Sequence, residues 1–169
     1  SLAGSEPTEV ERVERRELRR RLSYGGDWEG ELPAAQAAFR AWAGRYLRAP
    51  SAAARLGLVA EGVELAQVRR ASMRALIELD PERALAVTPP LQIRQALPAA
   101  VQALLEVRLS GRGELALLAA VPAADEPEPG PSLRRVVYLD GVTRTAFVYG
   151  RREEQLSKDG AFLHGIALD

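Results

Sequence analysis

The residues able to do chemistry are few. Among 169 residues there is one histidine, His164, and there is no cysteine. The lack of thiols excludes a cysteine nucleophile, a disulfide framework, iron–sulfur ligation and thiolate zinc sites. A single imidazole falls short of the two or three that common catalytic zinc sites use. His164 lies in Phe162-Leu163-His164-Gly165-Ile166, a strand-like run with no serine or carboxylate motif around it. The sequence therefore places it as a half-buried sheet histidine rather than a general base or metal ligand. Carboxylates are plentiful, but sequence spacing alone identifies no catalytic pair. Ser110-Gly111-Arg112-Gly113 is the one glycine-rich stretch that could cradle an anion through backbone N–H groups. It matches neither a Walker loop nor a dinucleotide fingerprint, and it reads as a tight turn between helix and strand. These exclusions predict a protein that is not an enzyme, with no metal and no cofactor.

Charge adds a second exclusion. Lys+Arg and Asp+Glu both number 23, so the formal net charge is zero. Lys158 is the sole lysine, and every other basic side chain is arginine. The Arg15–Arg21 cluster could touch nucleic acid or an acidic membrane. It is interleaved with glutamates, as a solvated helix face is, whereas nucleic-acid footprints carry net positive charge. The pairs Arg69-Arg70 and Arg134-Arg135 have the same character, so no nucleic-acid partner is expected. Aromatic residues are 5% of the chain, and apolar residues as a whole are 47%. The core must rest on Leu, Val and Ala. Phe39, Trp42 and Tyr46 share one helix face and read as inter-helix packing. Trp28 sits in a polar loop flanked by Gly25-Gly26 and Gly30. It is a lid over the core or an interface anchor, and with Arg15 and Arg19 it forms the candidate interface.

The elements that must position these residues follow from caps and periodicity. Residues 1–30 read as a charged arm, with Thr8 capping a helix from Glu9 to about Leu22. Residues 31–106 read as helical. Pro33 opens a helix to about Arg48, and Ser51 caps a long one to about Leu79. Asp80-Pro81-Glu82 restarts the chain, and short helices follow at Leu91–Ala96 and Pro98–Glu106. Residues 107–169 read as antiparallel β structure: a strand around Leu115–Val121, a mobile acidic loop over 122–132, and a hairpin. The hairpin joins Arg134–Leu139 to Val142–Tyr149 through Asp140-Gly141, and Phe162–Leu168 forms a last strand. The expected fold class is α+β, an N-terminal helical layer followed by a small antiparallel sheet or partial barrel. No apolar run approaches the roughly 20 residues that span a bilayer, so no membrane span is expected. The start at Ser1 without a methionine reads as a processed product or a piece cut from a longer chain.

Three blocks carry a resemblance. The first runs through Ala60-Glu61-Gly62-Val63-Glu64-Leu65-Ala66, Arg69-Arg70-Ala71, Ala75-Leu76-Ile77 and Asp80-Pro81-Glu82-Arg83-Ala84-Leu85. The second is Leu104-Leu105-Glu106 with Ser110-Gly111-Arg112-Gly113-Glu114-Leu115. The third is Phe147-Val148-Tyr149-Gly150-Arg151-Arg152 with Leu163-His164-Gly165-Ile166-Ala167-Leu168-Asp169. Together they resemble the N-terminal module of large secreted multidomain bacterial proteins, some with metallopeptidase-like domains downstream. The resemblance spans about residues 35–169 and carries no catalytic residue. It implies export to the periplasm or beyond, although the lack of cysteine fits a cytoplasmic protein equally well, and a role as prodomain, intramolecular chaperone or inhibitor for downstream domains of the same precursor or for another protein. A permanent protein-interaction or structural module is the alternative. With no cysteine present, a group blocking a downstream zinc would have to be a carboxylate such as Asp169, or His164, and nothing local supports either.

Overall fold

The computed structural model describes residues 32–120 and 132–168. Its element order is helices first and an antiparallel sheet second, an α+β fold. By internal packing the chain divides into two units. The predicted helix at 9–22, Trp28 with its loop, and nearly all of the acidic loop 122–132 lie outside the described residues.

Among the described residues the helical unit takes in 32–108 and 166–168. It holds α1 (Ala34–Arg48), α2 (Ala52–Gly57), α3 (Val59–Leu79), α4 (Pro81–Ala86), α5 (Leu91–Ala96) and α6 (Ala99–Gln102). Two starts follow their caps. The Ser51 hydroxyl accepts the Ala54 N–H at 3.1 Å, and Asp80 Oδ1 accepts the Arg83 N–H at 3.1 Å with Pro81 in the first turn. Each satisfies an N–H that the helix itself leaves unbonded.

The long helix predicted from Ser51 to Leu79 is instead two, α2 and α3, separated at Leu58. The break is one residue wide and follows Gly57, the last residue of α2: the Leu58 N–H turns tighter, to the Arg55 carbonyl at 3.0 Å. The Leu58 carbonyl accepts both the Gly62 N–H of α3 at 3.1 Å and the Trp42 indole Nε1–H at 2.9 Å, so Trp42 is anchored at the start of α3. Trp42 is fully buried and lies flat against α3. A Cβ on Gly62 would sit 2.0 Å from Trp42 Cζ2, so only glycine fits there. Phe39 and Tyr46 flank the indole at 5.5 and 5.4 Å between ring centroids. The predicted aromatic stripe is thus core packing. Ala43, Ala66, Leu97, Val101 and Leu105 complete this cluster. A second cluster joins Met73, Leu76 and Ala84 to Ile77, Val87, Ile166 and Leu168.

The sheet unit holds the remaining elements. They are β1 (Val107–Ala120, its first two residues in the helical unit), β2 (Ser132–Leu139), β3 (Val142–Thr145), a 3-10 turn (Gly150–Glu154) and β4 (Lys158–Ala167, its last two residues in the helical unit). The strand order is β3-β2-β1-β4. Pairing is antiparallel, with Glu114 opposite Tyr138, Leu118 opposite Arg134 and Tyr138 opposite Thr143. The β2–β3 turn is the predicted Asp140-Gly141, and both residues have positive φ, 53° and 77°. That is the geometry a two-residue hairpin loop requires.

Three strand boundaries differ from expectation. Ser110-Gly111-Arg112-Gly113 is neither a turn nor an anion nest, because β1 runs straight through it. Gly113 is there for close approach: a Cβ would meet the Tyr138 carbonyl at 2.5 Å and Leu163 Cδ1 at 2.9 Å. The return strand stops at Thr145 rather than Tyr149. The last bond of that pair is Ala146 N–H to the Arg135 carbonyl, after which the chain leaves for the 3-10 turn. The final strand begins earlier than predicted, at Lys158.

Candidate functional site

A pair of opposite charges lies inside the helical unit. Arg69 and Glu106 are 1% and 0% exposed. Arg69 Nη1 and Nη2 donate to the two carboxylate oxygens of Glu106 at 2.6 and 2.7 Å, a bidentate pair. The guanidinium also lies 5.2 Å from the centre of the Phe39 ring and reaches the Val87 carbonyl at 3.5 Å. Burial works against ionisation of Glu106. The hydrogen bonds and charge of Arg69 outweigh it, aided by the residue's own backbone N–H and by Thr88, so the carboxyl is held below its ordinary range.

Further arginines grip the same stretch through its backbone. Arg70 donates to the Leu104 carbonyl at 3.1 Å. Arg94 spans the carbonyls of Gln102, at 3.1 Å, and Glu106. Arg108 donates to the Thr88 carbonyl at 3.2 Å. The Arg69-Arg70 pair, weighed above for nucleic-acid contact, therefore ties the end of the helical unit together. A perturbed carboxylate often marks a catalytic centre. Here both carboxylate oxygens are taken by a guanidinium that is itself buried, which makes the pair a structural tie.

The sheet unit uses its arginines in the same way. Arg134 Nε donates to Thr145 Oγ1 at 2.9 Å, and Arg135 Nη2 to the Glu153 carbonyl at 2.6 Å. Two-residue periodicity then separates the faces of the sheet. Leu115, Leu139, Ala161 and Leu163 are buried on one face. The opposite face carries Leu118, Tyr138 and Phe162, which are 50%, 48% and 63% exposed. His164 belongs to this open face and is exposed rather than half-buried. Phe147 and Tyr149, in the loop after β3, are also exposed. The four aromatic residues of this unit, Tyr138, Phe147, Tyr149 and Phe162, thus all reach solvent.

Two more features complete the surface. An open groove of about 370 Å³ in the helical unit is lined by Tyr46, Pro50, Ser51, Ala52, Arg55, Leu56 and Val59. Among the described residues no group of three or more His, Asp or Glu side chains gathers where a metal could bind, and no helix is long and apolar enough to cross a membrane. Of the residues singled out as an interface from sequence, Arg15, Arg19 and Trp28 lie outside the described residues. Sequence reasoning misses the open sheet face, although its signal is present: Leu118, Tyr138 and Phe162 fall at strand positions alternate to the buried ones. Comparison with known protein families, with characterised proteins and with solved structures finds no match to this chain.

Proposed function

We propose that the chain is a non-catalytic N-terminal module of a secreted bacterial protein. It binds domains further along the same polypeptide, as a prodomain or intramolecular chaperone. The observation that carries this reading is the exposure of every aromatic residue in the sheet unit. Aromatics are scarce in this sequence, and a small sheet short of apolar volume would ordinarily bury them. Exposed aromatic and leucine side chains on a flat β surface are the composition of protein-binding patches. The inward use of Arg69, Glu106 and their neighbours supports the same reading, since the charged groups with altered environments serve the fold.

The test uses the full-length precursor in a host that exports it. Intact mass and N-terminal sequencing of the mature product should show a cut downstream of residue 169, with the released piece still co-purifying. In the Tyr138→Ser/Phe162→Ser variant the piece should fold but no longer co-purify. A mature chain that keeps residues 1–169 overturns the prodomain role and favours a permanent interaction module. Unimpaired co-purification of the double variant removes the open sheet face as the binding surface.

A further inference from the structure

β4 is an edge strand of the sheet described above, ten residues long and without proline. Such an edge presents a row of free N–H and C=O groups and tends to pair with another chain. Two arginines occupy this one. Arg152, from the 3-10 turn, donates through Nη2 to the Phe162 carbonyl at 2.7 Å. Arg112, from β1, donates through Nη1 to the Gly160 carbonyl at 3.3 Å. The Leu117 N–H of β1 donates at 3.2 Å to the hydroxyl of Ser157, the residue that leads into β4, so the odd-numbered residues of β1, Gly113 and Leu117 among them, turn their backbone groups toward β4. Leu163 shares a face with Gly113 of that set, so its backbone groups face β1 and those of its neighbours Phe162 and His164 turn outward. Gly160, at φ 60°, interrupts the alternation, and Arg112 takes its carbonyl there.

We propose that Arg112 and Arg152 cover the free edge of β4 and thereby keep two copies of this chain from pairing through it. The occupant excluded is a second copy. Two β4 strands set antiparallel about a two-fold axis would join their four-stranded sheets into one, and the exposed Phe162 of each copy would come close to the other. At its start the strand is also blunted by Lys158 and by Gly160, whose φ of 60° interrupts the regular edge; from Ala161 onward it offers little else to prevent this. Its polar residues are Lys158, Asp159 and His164, and the rest are apolar or glycine. Arginine suits the task because its planar fork binds a carbonyl while the charge remains hydrated. This inference is independent of the reading proposed above.

The experiment is sedimentation velocity of the 169-residue chain over a wide concentration range, beside Arg112→Ala/Arg152→Ala and each single variant. The native chain should remain monomeric. The double variant should dimerise, with self-association strengthened on the order of tenfold or more. Adding His164→Pro should restore the monomer, since an outward position on an edge strand tolerates proline. Backbone hydrogen exchange of the native chain gives a readout that needs no variant. The outward amides of Phe162 and His164 should exchange faster than those of Leu163 and Gly165. A folded double variant that stays monomeric overturns the proposal. So does a native chain in which the outward amides are as protected as their neighbours, because the edge would then already be paired.

Discussion

Removing either member of the Arg69–Glu106 pair should cost the helical unit a large part of its stability, and removing both should cost much less. The two side chains exchange two hydrogen bonds at 2.6 and 2.7 Å with almost no exposure to solvent. Arg69→Met leaves a buried carboxylate without its partner. Glu106→Leu leaves a buried guanidinium with no carboxylate to donate to and no counter-charge. Breaking a buried pair in this way costs about 3–5 kcal/mol, set against a total of roughly 5–15 kcal/mol for an ordinary domain. Replacing both with apolar groups, Arg69→Met with Glu106→Leu, is often near neutral, because the desolvation of two charges disappears along with their attraction. Phe39, whose ring centre is 5.2 Å from the guanidinium, offers the thioether introduced by Arg69→Met an aromatic surface to pack on. Urea unfolding followed by tryptophan fluorescence and circular dichroism measures all four proteins. The expected coupling is about 2 kcal/mol or more in favour of the double variant. Additive losses, or a single variant within about 1 kcal/mol of the native chain, would refute the account of the pair as a dry, mutually dependent tie.

Other outcomes follow from the same structure. Gly62→Ala should cost about 3 kcal/mol and lower the melting temperature by roughly 6–12 °C, because the new methyl overlaps the Trp42 ring; calorimetry checks the loss and fluorescence the displaced indole. Asp80→Ala should cost about 1 kcal/mol by removing the acceptor for the Arg83 N–H, read from the urea midpoint. Glu106 ties stability to acidity. Its folded-state carboxyl is held below the ordinary 4.5, so its contribution is present above that value and is lost as pH falls through the lower folded one. Unfolding free energies measured across the acid range should therefore decline, and Glu106→Gln should flatten that decline.

Much of the fold is legible in local signals. Ser51 and Asp80-Pro81 mark helix starts because capping is a matter of a few neighbouring residues. Asp140-Gly141 marks the hairpin for the same reason. One failure is local: Gly57, the last residue of its helix, signals the break at Leu58, but the apolar stripe continues across it and periodicity joins the two helices. The other failures come from distant partners. Gly111 and Gly113 resemble a turn when read locally. What demands Gly113 is the backbone of Tyr138 on the neighbouring strand. Arg69 looks like half of a solvated basic pair until Glu106, thirty-seven residues on, is placed against it. The open sheet face is hidden by the same limit: alternation separates two faces but does not say which is covered.

Ile166 and Leu168 pack with Met73, Leu76 and Ala84, so the helical unit borrows side chains from the far end of the sequence. That has a consequence for biosynthesis. The helices emerge first from the ribosome, yet one of their two apolar clusters stays open until residue 168 has been made. A nascent helical unit is therefore stickier than the finished one, and chaperones should hold it for the time translation takes to traverse the sheet.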